Sequence, residues 1–265
     1  MGRNALAAVV VVAALACGRG RAETADHGAP GAPVLTLTAT DRDRRWDAAV
    51  AALDARRRAL AAELHAARTS AARRAVLARA RDVAFRAIVD DLAPLWIGMP
   101  WGLGRNSTAT RPYQRDMVVG CSYFVTAIAQ GAGLRLDDRF RFAQAPALHI
   151  QRAFARGRGA VHRYLSIPAE RLEREIAALG DGLYLIGLDV HVGFVVVDRG
   201  AVRLLHASYT GARQVSDELL REALAIDRSR EEGYFVSPVF VRSPDNDALV
   251  ERWLAGAPFS LDADR

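Results

Sequence analysis

The sequence predicts an α+β fold in which helices come first and an antiparallel sheet follows. Three observations lead there. Between Asp41 and Leu92, apolar residues return at three-, four- and seven-residue intervals, the period of helices. From Leu183 onward, short apolar runs are separated by turn residues, the texture of strands. Between the two lies a Gly- and Pro-bearing segment, then a short helix that opens at Cys121. No internal repeat is present.

The chain begins with a targeting signal. Arg3 supplies a positive start, and residues 5–16 form an uncharged apolar run too short to span a bilayer comfortably. Cleavage after Ala22 would release a soluble protein. Alternatively, Ala14-Leu15-Ala16-Cys17 resembles a bacterial lipobox, and Cys17 would carry a lipid anchor. Both routes export the protein, to the periplasm or to an outer-membrane-anchored lipoprotein. Residues 1–22 are therefore assigned to the signal. Residues 23–40, rich in Gly, Pro, Ala and Thr, are assigned to a flexible linker.

Residues 41–93 form a helical extension. Trp46, Ala49, Val50, Leu53, Leu60 and Leu64 mark one apolar face, and Val76, Leu77, Val83, Ile88 and Leu92 mark a second helix. Thr69-Ser70 supplies the break and the cap between them. Acids at Asp47, Asp54, Glu63 and Asp82 interrupt the arginine face, so it reads as solvated and not as a membrane-surface stripe. The extension is expected to lie against the remaining chain.

Residues 94–265 make the second domain. Pro94 ends the helical region, and Gly98, Pro100, Gly102 and Gly104 shape an aromatic-bearing loop. After Cys121, Phe124, Val125, Ile128 and Ala129 form a helical face that stops at Gly131 and Gly133. Helical pieces are expected over residues 134–179, the last opening at Ile167-Pro168-Ala169-Glu170. Strands follow over residues 183–188, 191–197, 201–207 and 234–241, with a turn at 198–200 and a final helix over 245–254.

Composition narrows the function. The chain has 265 residues, 51% of them apolar, a net charge of +6 and a pI near 10, and every basic residue apart from histidine is Arg. Acids are scattered among the arginines and no basic run is interleaved with aromatics, so nucleic acid is not an expected partner. Nothing in the sequence calls for a cofactor, and a monomer is expected. Of two cysteines, Cys17 belongs to the signal, leaving Cys121 alone in a compartment where exported thiols commonly pair.

A cysteine at a helix N-terminus feels unpaired N–H groups and the positive end of the dipole, which favour thiolate. The plainer reading is a small buried hydrophobe. The hairpin bears on this choice. A turn centred between Asp198 and Arg199 pairs His191 with His206; moving the centre by one residue pairs His191 with Ser208 and leaves His206 diagonal on the same face. A bulge at Gly200 would change the parity. Two adjacent histidines near the Cys121 helix would complete a nucleophile, a base and an orienting group. The alternatives are two independently satisfied strand histidines, or a zinc site, although no short ligand pair such as CxxC or HxxxH is present. His149 and His162 read as bystanders.

Gly120-Cys121-Ser122-Tyr123-Phe124-Val125 resembles the DCSGFV motif of NlpC-type cysteine peptidases, papain-like enzymes that cut cell-wall peptides. His191-Val192-Gly193-Phe194-Val195 resembles their HVGIY strand, Leu205-His206-Ala207-Ser208 their IHAS strand, and Gly98-Met99-Pro100-Trp101-Gly102 their G-x-P-Y segment. The resemblance covers about residues 95–210 and implies a papain-like fold, with a nucleophile-bearing helix packed on a small antiparallel sheet. It implies Cys121 as nucleophile, His191 as general base and acid, His206 as orienting residue, and no metal. The Cys121 N–H would form half of an oxyanion hole. Trp101, Ser122 and Tyr123 are the expected substrate-binding positions. Departures fall there: Gly120 replaces an acid, Tyr123 a Gly, and Trp101 a Tyr, so that its indole replaces the phenol donor, or Tyr113 supplies one, or the site lacks one.

The expected activity is hydrolysis of an amide bond in peptidoglycan peptides. The alternatives are an amidase or acyltransferase on another amide or ester, and a non-catalytic envelope-binding module. Arg105, Arg111 and Arg115 precede the cysteine; lining the cleft, they would favour carboxylates, and otherwise they are solvated loop residues.

Overall fold

The computed structural model describes residues 37–155, 160–229, 233–243 and 246–261. The expected export signal, Cys17 and most of the expected linker lie outside these residues. Residues 37–265 form one compact unit.

Helix α1 (Ala39–Ala66) starts two residues inside the expected linker, because Thr38 caps it by accepting from the Asp41 N–H. Helix α2 (Ser70–Arg86) is capped in the same way by Thr69, which accepts from Ala72. A π-helical turn (Ala87–Leu92) and a 3-10 turn (Ala93–Leu95) containing Pro94 close the region. Then come α3 (Cys121–Gly131), α4 (Arg139–Gln144), α5 (Ala147–Phe154), β1 (His162–Tyr164) and α6 (Ala169–Ala178). The chain continues through β2 (Gly182–Gly187), β3 (Val192–Asp198), β4 (Ala201–Ala207), β5 (Val215–Leu219), α7 (Leu224–Asp227), β6 (Tyr234–Val241) and α8 (Asp247–Leu254). The fold is α+β, and among the described residues six strands pair antiparallel in the order β1-β6-β2-β3-β4-β5.

Two strands were not expected. β1 has three residues and sits at the sheet edge, inside a stretch read as helical. β5 reads Val-Ser-Asp-Glu-Leu, too polar to signal a strand, yet it pairs along its whole length with β4.

The central strands are apolar without alternation because both faces of the sheet are covered. Leu183, Leu185, Phe194, Val196 and Leu205 join the larger core with α1, α2, α3 and α8. Tyr184, Ile186, Val195, Val197 and Leu204 join a smaller core with α6 and Leu220. The helical extension is thus continuous with the core of the second domain. Trp46 of α1 meets Trp96 edge-on at 5.7 Å, Trp96 meets Phe124 of α3 at 5.6 Å, and Phe124 meets Phe194 of β3 at 6.5 Å. Such pairs contribute about 0.5–1.5 kcal/mol each beyond the area they bury.

Trp46 approaches α3 where it has no side chain. A Cβ on Gly131 would stand 2.5 Å from two atoms of the indole. Gly131→Ala should therefore destabilise the fold by about 1–3 kcal/mol through overpacking, read as a lower urea midpoint at unchanged slope. A second tie is the fork of Arg86 on α2 to Asp198 at the end of β3, at 2.9 and 2.8 Å. It holds the Asp198 carboxyl down at about 2, against an ordinary 3.8. A depressed carboxyl stabilises the fold above its unfolded value and loses that contribution as pH falls through the folded one. Arg86→Ala should cost up to about 1 kcal/mol at neutral pH, since the arginine is partly exposed. Acid titration of the variant should show a smaller loss of stability between about pH 4 and pH 2 than the wild type.

Candidate active site

Cys121 is the first residue of α3, and Gly120 before it is extended and offers no side-chain cap. Backbone pairing fixes the approach to it. The Val119 N–H donates to Pro100 O at 3.0 Å, the Gly120 N–H to Ser107 O at 2.9 Å, and the Gly102 N–H to Val119 O at 3.3 Å. Val119 is thus bridged on one side by Trp101 and on the other by Thr108. The same loop is tied to β5, where Gly98 donates to Val215 and Val215 donates to Met99. With no cap, the first N–H groups of α3 remain available: those of Cys121 and Ser122, with that of Val192 from β3, point at the Cys121 sulfur.

Those N–H groups favour thiolate, but burial opposes them and wins. The Cys121 thiol is raised above its ordinary 9.0, with desolvation the largest cause. The expectation that the helix N-terminus would leave a ready thiolate is therefore corrected. His191 is pushed well below the ordinary 6.5, first by burial and then by the neighbouring His206. Thiol and imidazole are both neutral at rest.

The hairpin adopts the second of the two registers. Asp198 pairs with Ala201 and Phe194 with Leu205 across a two-residue turn, Arg199-Gly200, in which both residues have positive φ. His206 is left diagonal to His191, and the residue between them is Gly193. A Cβ there would lie 2.9 Å from the His206 Cβ, so glycine keeps the space through which the rings meet. His191 Nε2 stands 2.7 Å from His206 Nδ1, with ring centroids 5.0 Å apart. Both rings are buried, and His191 Nδ1 has no partner among the described residues.

The row continues to a residue the sequence reading missed. His206 Nε2 lies 2.7 Å from Glu218 Oε1 on β5. Glu218 stayed hidden because β5 itself did; recognising residues 208–214 as the loop of a hairpin would have set it diagonal to His206.

A cleft of about 470 Å³ opens on Cys121 and His191. Its walls come from residues 143–148, residues 187–192 and Phe235, and they are mostly apolar. Gln151 secures one wall by donating to Leu185 O at 3.0 Å and Phe235 O at 2.7 Å, while Gly187 admits α5 so closely that a Cβ would stand 2.8 Å from that of Ala147. Ser122 lines the cleft, though its hydroxyl donates to Ala143 O. Trp101 and Tyr123 are not among the lining residues. The Trp101 ring lies 6.3 Å from Tyr209, which itself lies 5.2 Å from His191, and its indole N–H is buried with no partner among the described residues. Tyr123 turns to Phe140, edge-on at 6.3 Å. Tyr113 donates to Ile97 O at 2.9 Å, so it is not a donor to the site.

Of the two readings of the arginines, the structure bears out the loop one and not the cleft-lining one. Arg105, Arg111 and Arg115 are absent from the cleft lining; Arg111 pairs with Asp47 at 2.6 Å, and the Arg115 side chain is 95% exposed. The charged lining residue is an acid, Asp189. His149 is exposed and His162 stacks on Tyr164. Among the described residues, no group of three His, Cys, Asp or Glu side chains is placed to hold a metal ion.

No family model, curated protein or solved structure matches this chain.

Because His191 is depressed, it stays neutral and able to accept a proton as pH falls through 6.5. If the site is catalytic, the acid limb of kcat/KM should lie below that value, and a pH–rate profile reads it directly. Alkylation of Cys121 by iodoacetamide should keep accelerating past pH 9, the ordinary thiol value, since burial holds the proton on longer.

Proposed function

We propose that this protein is an exported thiol hydrolase of papain-like, NlpC-type fold that cleaves an amide bond in peptidoglycan peptides. One observation carries the reading: the His191–His206 hydrogen bond occupies one imidazole nitrogen and leaves the other unpartnered, on a ring that lines a cleft with the Cys121 thiol. The motif resemblance and the uncapped start of α3 support it.

In this reading His191 Nδ1 takes the thiol proton as sulfur attacks the substrate carbonyl carbon. Charge developing on the carbonyl oxygen is stabilised by N–H groups at the start of α3. The imidazolium then donates to the leaving amine as the C–N bond breaks, leaving a thioester on Cys121. Water, deprotonated by the same nitrogen, attacks the thioester; the acid departs and the proton returns to sulfur. His206 holds the His191 ring through both halves.

The cleft lining favours a second reading of the substrate. Its walls are mostly apolar, and their charged residue is the acid Asp189 with no arginine, which suits an uncharged acyl group better than a carboxylate-rich peptide. An amidase or acyltransferase acting on such an amide or ester would use the same chemistry.

Digestion of purified sacculi, with the released fragments identified by mass, tests the first substrate; acyl amides and esters of graded chain length test the second. Cys121→Ala and His191→Ala should each reduce turnover by about 10³-fold or more, and the double variant should be no worse than either, because the two act as a unit. Trapping an acyl adduct on Cys121 by mass spectrometry locates the step. No turnover and no adduct on either substrate set leaves a non-catalytic envelope-binding module.

A further inference from the structure

Glu218 ends the row of polar groups that begins at Cys121, and its chemistry dictates how protons are placed along that row. In the β4–β5 ladder His206 pairs with Ser216 and Leu204 with Glu218, so Glu218 is the diagonal neighbour of His206 on one face. Its carboxylate oxygen is 2.7 Å from His206 Nε2. An ionised carboxylate has no proton to donate and only accepts. His206 must then carry its proton on Nε2. A neutral imidazole has one N–H, so His206 Nδ1 bears a lone pair, and it can close the 2.7 Å contact to His191 only by accepting from the His191 Nε2–H. That uses the one proton of His191 and leaves a lone pair on its Nδ1, the buried nitrogen without a partner.

We propose that Glu218 is a positioning residue that fixes the tautomers of His206 and His191, so that His191 presents an accepting Nδ1 to the Cys121 side of the cleft. This rests on the thiol-hydrolase reading for its consequence in activity, but the tautomers themselves do not. Without the carboxylate the row can run backwards. His206 would donate from Nδ1 to His191 Nε2, the His191 proton would move to Nδ1, and that nitrogen could no longer take a proton from sulfur. In the forward arrangement one proton moves, from the thiol to His191 Nδ1; those on His191 Nε2 and His206 Nε2 stay in place. The carboxylate also faces the positive charge that His191 acquires. The other titratable or charged groups around the pair are Cys121 on α3, Asp189 in the β2–β3 loop, Tyr209 after β4, and Asp217 on β5, which pairs with Arg203 at 3.3 Å.

Two-bond ¹H–¹⁵N spectra of the full chain with ¹⁵N-labelled histidine report each tautomer without a substrate. The wild type should show both His191 and His206 protonated on Nε2. Glu218→Gln keeps the shape but can donate or accept, so both tautomers should appear. With a substrate in hand, kcat/KM of this variant should fall about 10- to 100-fold, the usual effect of losing a group that orients a functional histidine. Its acid limb should move to lower pH, since a negative charge that favoured the imidazolium is gone. A wild-type His206 protonated on Nδ1 overturns the proposal even if every variant misfolds. So does a Glu218→Gln variant with unchanged tautomers and pH profile, whatever its melting temperature. A wild type inactive on all substrates but carrying the stated tautomers would remove the hydrolase reading and leave Glu218 in this role.

Discussion

The edge-on seat of Phe124 against Phe194 joins the two halves of the candidate site, because one ring belongs to α3 and the other to β3. Cys121 opens α3 and His191 immediately precedes β3, so the separation of thiol and imidazole follows from how helix and strand pack. Nothing local fixes it. α3 has no side-chain cap, and its start is held by backbone bonds to residues 100–107. The aromatic row back through Trp96 to Trp46 explains why a long N-terminal helix belongs to the same core as the site. α1 packs Trp46 against the rear of α3 at Gly131, so it is part of the core and not a spacer beside it.

Burial gives the site its character and sets its terms. A thiol raised by desolvation and an imidazole lowered by it cannot rest as an ion pair, so in the proposed hydrolase reading proton transfer would belong to the attack itself. Such a pair needs its nitrogen lone pair pointed correctly beforehand, since buried rings do not re-sort protons with water. The hydrogen-bonded row through His206 supplies that order, and a row of neutral rings takes its direction from whichever end cannot be reversed. The partly exposed Glu218 is that end. Gly193 has an equally specific part: a side chain there would occupy the space in which the diagonal histidines meet.

The sequence made the core of this arrangement readable because its parts are close in number or carry strong patterns. The β3–β4 hairpin has a two-residue turn, so pairing arithmetic brought His191 to His206 to within one register step. Periodic leucines and the Thr69 cap gave the start of α1 to within two residues and the break before α2, while residues 87–92, read as its continuation, form a π-helical turn. Strand β5 escaped for a physical reason: Ser216, Asp217 and Glu218 carry no apolar signature, and pairing with β4 alone makes them a strand. The thiolate expectation failed because dipole and N–H effects are visible in sequence, whereas the desolvation that outweighs them depends on atoms from elsewhere in the chain.

The same distinction separates chemistry from substrate. The groups that would move a proton lie on neighbouring elements, and their roles follow from a few distances. The walls of the cleft come from residues 143–148, residues 187–192 and Phe235, segments that meet only after the sheet has assembled and α5 has docked over Gly187. Their apolar character is a property of that meeting and not of any motif. Arg105, Arg111 and Arg115 show the converse, being near Cys121 in the chain yet absent from its cleft. Where the sequence placed arginines ahead of Cys121, the fold places Ala145, Pro146 and Leu188, so any ligand of this cleft would meet a mostly apolar groove with a single acid on its wall.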